Sequence, residues 1–129
     1  MNNRRSAIEG ESGAAKLLED KGFKIIERNY RTRAGEIDIV AKDGGTYVFV
    51  EVKARATAEF GTPGEMVTPA KMYKLAGAAK QWLAEKGVRN KPCRFDVVTV
   101  LGEKTEHIEG AFDMDDAARG AYSVFKHRG

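Results

Sequence analysis

The sequence predicts an α/β domain built on a mixed β-sheet flanked by helices. Three observations point there: a capped helical segment at the amino end, two β-branched runs around Asp43-Gly44-Gly45, and a second capped helix that separates those runs from two more.

Ser6-Ala7-Ile8-Glu9 fits a capping box and opens a helix expected to end near Gly22. Ile25 and Ile26 mark a short strand, followed by the basic segment Arg28-Asn29-Tyr30-Arg31-Thr32-Arg33. Residues 35–41 and 46–53 read as strands joined by the glycine turn. Residues 54–67, with Gly61, Pro63 and Gly64, form a connecting loop or a flap over a ligand. Thr68 then serves as N-cap and Pro69 as first residue of a helix reaching about Glu85, with Gly87 as its stop. Met72, Leu75, Ala76, Ala79 and Leu83 form its apolar stripe, and Trp82 lies just beside it as core. Residues 94–101 and 105–108 are strands around Gly102. Residues 113–126 suit a last helix, with Asp113, Asp115 and Asp116 in the first turn, where the helix dipole favours acids. The organisation is one domain over 1–129, with its core at about 6–112 and a tail at 113–129.

A chain of 129 residues with 42% hydrophobic and 32% charged residues has enough apolar material for one core and none to spare for a second. No apolar run approaches the roughly 18 residues of a membrane span, and the amino end lacks the apolar stretch of a signal peptide. Cys93 is alone, which excludes an internal disulfide. A cytoplasmic domain is expected. The net charge of +3 conceals a pattern: +3 over residues 1–35, −2 over 36–60, +5 over 61–95 and −3 over 96–129. Basic blocks flanking an acidic centre suit nucleic-acid binding, or else are solvated faces.

Alternation along the second run puts Glu51 and Lys53 on one face with Tyr47 and Phe49. On the first run, Glu36, Asp38 and Val40 share a face, and Ile37, Ile39 and Ala41 take the other. If Gly44-Gly45 is a two-residue turn, position i pairs with position 89 − i, so Asp38 faces Glu51. Opposed like charges are destabilising unless a cation separates them, and Lys53 or a divalent metal can serve. The alternative is a solvated face of two edge strands, although Val40, Tyr47 and Phe49 fit that poorly. In the first helix Ile8, Glu11, Ala15 and Leu18 follow a helical stripe, which places an acid among apolar residues. Three acids and a lysine are thus expected to converge at one end of the sheet. Such a cluster suits phosphodiester hydrolysis: Mg²⁺ or Mn²⁺ on Asp38 and Glu51 polarises the phosphate, and the Lys53 ammonium positions the attacking water.

Gly10-Glu11, Arg28-Asn29, Gly35-Glu36-Ile37-Asp38, Val48-Phe49-Val50-Glu51-Val52-Lys53 and Arg94-Phe95-Asp96-Val97-Val98 occur in the order found in the YraN-like family of small bacterial proteins. Phe60-Gly61, Val67, Lys71 and Ala78-Ala79 agree as well. The chain resembles that family over about residues 10–112. The family is placed in the PD-(D/E)XK nuclease superfamily and is similar to archaeal Holliday-junction resolvases. The resemblance implies a restriction-endonuclease-like fold. It assigns Glu11 as the acid of the first helix, Asp38 and Glu51 as metal-binding acids, the Val52 peptide carbonyl as a further ligand, and Lys53 as the catalytic lysine. Ile37 stands where the superfamily motif is named for proline. A homodimer is implied by analogy with the resolvases.

DNA is the expected partner, branched or otherwise structured. Arg28, Arg31, Arg33, Arg55, Lys71 and Lys74 are the candidate phosphate contacts. Tyr30 suits packing better than base stacking, His107 suits structural hydrogen bonding better than metal binding, and Asp96 suits either a structural role or support of the site's ligands. The rival to a nuclease is a non-catalytic DNA-binding or partner-recruiting module that retains the fold.

Overall fold

Antiparallel strands can be joined by a tight turn, whereas parallel neighbours need a long crossover, and this chain uses both. A computed structural model describes residues 3–55 and 67–119. In chain order the elements are α1 (Asn3–Asp20), β1 (Lys24–Arg31), β2 (Glu36–Asp43), β3 (Thr46–Arg55), α2 (Pro69–Glu85), β4 (Cys93–Leu101), β5 (Lys104–Phe112) and α3 (Met114–Arg119). The five strands form one sheet in sequence order. β1–β2, β2–β3 and β4–β5 are antiparallel, while β3 and β4, separated by α2, are parallel. The expected α/β architecture with a mixed sheet is the one observed, consistent with a restriction-endonuclease-like fold.

The helices cover opposite faces of the sheet. On one, Met72, Leu75 and Trp82 of α2 pack with Val40, Phe49, Phe95 and Phe112. Phe95 and Phe112 stack at 4.7 Å, and Phe49 meets the Trp82 ring edge-on at 6.0 Å. On the other, Ala14, Ala15 and Leu18 of α1 pack with Ile39, Val48, Val50 and Val98. Burial of a side chain of Leu or Phe size contributes about 1.5–3 kcal/mol, so these two layers supply most of the stabilisation.

Helix α2 begins as expected: the Thr68 side chain accepts from Lys71 N at 3.2 Å, and Pro69 follows the cap. Its buried stripe includes Trp82 fully and Leu83 only in part. Helix α1 begins at Asn3, so Ser6 lies inside it instead of capping it. Arginine is a good helix former, and Arg4-Arg5 carry the helix past the capping match. β1 runs on to Arg31, which places Arg28 and Arg31 on a strand. β5 extends to Phe112, beyond the expected 105–108. The segment read as a tail opens with α3, whose Ala117 is buried in the α2 layer. Asp113 N donates to Asp116 Oδ2 and Asp116 N to Asp113 Oδ1, a reciprocal pair at the helix start.

Candidate functional site

The β2–β3 register runs from Asp43↔Thr46 to Ile39↔Val50, as the two-residue turn predicts. Pairing ends there. β1 and β2 stay together through Arg31↔Glu36, and β3 and β4 through Arg55↔Leu101, so the sheet forks. Asp38 and Glu51 sit at the fork. Asp38 Oδ2 accepts the Val52 backbone N–H at 2.7 Å, which puts a side-chain acceptor where a rung of the ladder would continue. The strict alternation expected for β2 breaks at this point. Ile37 packs with Val40 in the α2 layer, whereas Ile39 and Ala41 pack in the α1 layer.

Glu51 shares its strand face with Phe49, and that face lies under α2. Its side chain is only 7% exposed, so the solvated-face alternative does not describe it. Burial and then the charge of Asp38 push the Glu51 carboxyl up to about 7, against the opposing fields of Lys71 and Lys53. Asp38 is raised as well, by burial first, with the Val52 N–H and Lys71 working against it. A hydrogen bond links the two carboxyls. With Glu51 buried and Asp38 half-buried, each acid disfavours the charge of the other. Lys71, read from the sequence as a phosphate contact, reaches into the pair: its Nζ is 3.6 Å from Glu51 Oε2. Nothing in the sequence marked that contact, since it joins residues on two different elements.

Glu11 reaches the fork from α1. The helix lies close to β3 because residue 10 is glycine: a Cβ there would come within 3.2 Å of the Ala54 methyl. The Glu11 carboxyl is raised by burial and by Asp38, with Arg28 and a hydrogen bond from Asn29 lowering it. Its Oε1 is buried without a hydrogen-bond partner. Asn29, matched to the family in sequence but given no role there, takes φ 55°, a left-handed conformation that asparagine tolerates. Arg28 Nη2 also lies 3.4 Å from Ser12 Oγ, so this arginine attends α1. Among the described residues no group of three or more His, Cys, Asp or Glu side chains is arranged to hold a metal ion. The acids that lie together are two, Asp38 and Glu51, with Glu11 near enough for its charge to register.

A groove of about 320 Å³ adjoins the pair, lined by Arg31, Thr32, Gly35, Glu36, Lys71 and Lys74. Three of the expected phosphate contacts therefore meet at one surface. The β1–β2 loop closes tightly against α2, for a Cβ on Gly35 would lie 2.7 Å from Lys74 O. Arg31 Nε is 3.4 Å from Glu36 Oε2, both groups being exposed. Arg33 is exposed in the same loop. Arg55 ends β3; its side chain, and residues 56–66 of the expected flap, lie outside the described residues. Tyr30 packs against the α2 layer and donates to Glu85, the packing role expected of it.

His107 is structural, as expected, and of the two roles open to Asp96 the structural one is observed. Asp96 Oδ1 accepts from Arg94 Nε at 2.9 Å and from Gly110 N at 2.9 Å, and its Oδ2 lies 2.7 Å from His107 Nε2. Burial alone would raise this carboxyl, but bonds from His107, Arg94 and the Gly110 N–H outweigh it and hold the group below its ordinary value.

The profile of Uncharacterised protein family UPF0102 matches residues 10–100. The chain belongs to this family. A UPF0102 protein of Symbiobacterium thermophilum is 53% identical over 98 residues, covering 76% of this chain and 83% of the relative. One from Geobacter sulfurreducens is 44% identical, covering 87% and 91%. Another, from Moorella thermoacetica, is 43% identical and covers 95% and 98%. The matched segment contains Glu11, Asp38, Glu51, Lys53 and Lys71. Among the described residues no helix is long and apolar enough to cross a membrane.

Proposed function

We propose that this protein is a metal-dependent endonuclease that hydrolyses phosphodiester bonds in branched or otherwise structured DNA. The observation that carries the reading is the hydrogen-bonded pair of half-buried Asp38 and buried Glu51 at the fork of the sheet, beside a groove lined by Arg31, Lys71 and Lys74. The donor set fits Mg²⁺ or Mn²⁺. Both are oxygen-seeking, and Mg²⁺ is commonly held by one or two carboxylates with water and phosphate oxygens completing its shell. The orphaned Glu11 Oε1 is a further buried oxygen near Asp38. A divalent ion bound there would polarise the phosphate and lower the pKa of bound water.

The chain's own residues then have distinct tasks. Asp38 and Glu51 hold the ion, the Val52 peptide carbonyl and Glu11 complete or orient its shell, and Lys53 positions the attacking water or meets charge developing on the phosphate. Arg31, Lys71 and Lys74, with Arg28, Arg33 and Arg55, serve as phosphate contacts. The resemblance to PD-(D/E)XK nucleases and archaeal junction resolvases points the same way, and cutting both strands of a junction would use two copies of the chain.

A second reading is favoured by one observation: among the described residues the acids do not form a group of three. On that reading the protein is a DNA-binding or partner-recruiting module that retains a nuclease fold. A cleavage screen over junction, flap, single-stranded and RNA substrates with Mg²⁺ and Mn²⁺ separates the two. The nuclease reading expects nicking of branched DNA, and Lys53→Ala slows it by about 100-fold or more while sparing Mn²⁺ affinity. Salt-sensitive DNA binding without cleavage of any substrate establishes the module instead. Undiminished cleavage by Lys53→Ala removes that residue from the chemistry.

A further inference from the structure

We infer that the outer face of α2 is a track for an unpaired DNA strand leading away from the carboxylate pair, an inference that rests on the phosphodiester reading above. Three grooves lie in series along this helix. The first is the 320 Å³ groove that begins at Lys71. The second, about 470 Å³, shares Lys74 with it and continues past Tyr73, Gly77 and Lys80. The third, about 340 Å³, shares Lys80 with the second and ends at Arg89. A lysine joins each groove to the next. Lys71, at the head of the series, is the residue that touches Glu51.

The lane has a simple origin in the helix. Tyr73, Gly77, Lys80 and Ala84 recur at spacings of four, three and four, which stacks them on one face. Gly77 and Ala84 carry little or no side chain, so the lane is shallow between the larger residues. Lys71 lies on the sheet side of the helix, at the inner end of the first groove, so the lane proper runs from Tyr73 to Ala84, about 16 Å at ~1.5 Å per residue. That length takes up to about five phosphates at the stacked spacing of ~3.4 Å per nucleotide.

Two features identify the occupant. The charged residues lining the three grooves are Arg31, Lys71, Lys74, Lys80 and Arg89 against a single acid, Glu36, which already faces Arg31. The surface is thus complementary to a polyanion. Tyr73 is 70% exposed, and it is a large ring held in water between Lys74 and Lys80. An isolated aromatic among ammonium groups suits base stacking, whereas a folded protein partner would be met by a broader apolar patch. Bases in a duplex already stack on one another, so only an unpaired strand offers Tyr73 a free base face. The substrate class is therefore DNA with a single-stranded arm beside the scissile phosphate.

The test uses the full-length protein in EDTA, so that binding is read apart from cleavage. Fluorescence anisotropy compares a blunt duplex, the same duplex with a single-stranded DNA arm, and one with an RNA arm. The DNA arm is expected to tighten binding about tenfold. Tyr73→Ala abolishes that gain with blunt-duplex affinity and melting temperature unchanged, and Tyr73→Phe retains it. Lys80→Ala lowers the slope of log affinity against log salt by about 0.7 on the armed duplex. The track is overturned if the arm confers no gain, if Tyr73→Ala keeps the gain, or if the RNA arm binds better. A parallel Mn²⁺ cleavage assay keeps the two readings apart. An arm preference that depends on Tyr73, with no cleavage, sustains the track and removes the nuclease; cleavage indifferent to the arm does the reverse.

Discussion

Two buried carboxylate clusters lie on this sheet, and they are opposites. Asp96 is fully buried, yet it receives hydrogen bonds from Arg94, His107 and the Gly110 N–H, and its carboxyl sits below its ordinary value. Glu51 is also buried and Asp38 half-buried, but each has the other acid beside it, and both carboxyls are raised. Burial is common to the two; compensation is not. Asp96 joins β4, β5 and, through Arg94 and Asp43, the end of β2. It is a clasp, complete without any ligand. The Asp38–Glu51 pair has Lys71 beside it, yet burial and mutual repulsion outweigh that charge, and such under-compensated acids are the physical ground for the cation proposed above.

The comparison can be broken at its strong end first. Asp96→Asn removes the buried carboxylate on which Arg94, His107 and the Gly110 N–H converge, and urea unfolding should show a loss of about 3 kcal/mol. The pH dependence has a definite sign. A carboxyl lowered by folding adds stability above its unfolded value of about 4, and that stability drains away as pH falls through the folded value. The wild-type protein should therefore lose stability more steeply than Asp96→Asn on acidification below about pH 4. Parallel acid limbs for the two proteins would remove Asp96 as the clasp.

A smaller effect of opposite sign is expected at the fork. A carboxyl raised by folding costs stability as pH rises from its unfolded value of about 4.3, and the cost is complete above the folded value. Glu51→Gln should thus make the protein more stable at pH 8, by about 1 kcal/mol after the loss of the Lys71 ion pair is counted. A destabilised Glu51→Gln protein would mean that the pair is a structural element like Asp96, and the contrast would collapse. Smallest of all is Arg31→Ala. The Arg31–Glu36 pair is exposed, so its removal should change stability by less than about 0.5 kcal/mol while weakening DNA binding at low salt. A large melting shift would place Arg31 in the fold and outside the footprint.

The same contrast explains which parts were legible in the sequence. The hairpin register followed from Gly44-Gly45 and the alternation around it, because both are local. Thr68-Pro69 announced α2 for the same reason. Asp38 and Glu51 could be placed opposite each other from that register alone. The fork could not, because it depends on Asp38 turning its carboxylate to the Val52 N–H instead of letting the ladder continue. Ile37 was assigned to the wrong layer as a consequence. Lys71 touches Glu51 from an element twenty residues further along, and Trp82 of α2 bonds Glu27 of β1; no periodicity encodes such meetings. The Asp96 clasp gathers Asp43, Arg94 and His107 from three separate strands, so only its Arg94–Asp96 spacing was visible in advance.

The tight turn at Gly44-Gly45 has a bearing on inheritance as well as on shape. It lies five rungs from the fork, roughly 17 Å at ~3.4 Å per residue, and it touches none of the acids. Yet every pairing from Asp43↔Thr46 to Ile39↔Val50 counts outward from it. One residue gained or lost there and taken up by the ladder would carry β3 past β2 by a single place, exchange its two faces, and set Asp38 against a valine. An exposed loop of this kind ordinarily tolerates changes in length. Here a frame-preserving insertion in a distant, solvent-washed turn would be read out as a broken Asp38–Glu51 pair, so the length of that turn sets the meeting of the two acids as surely as their identity does.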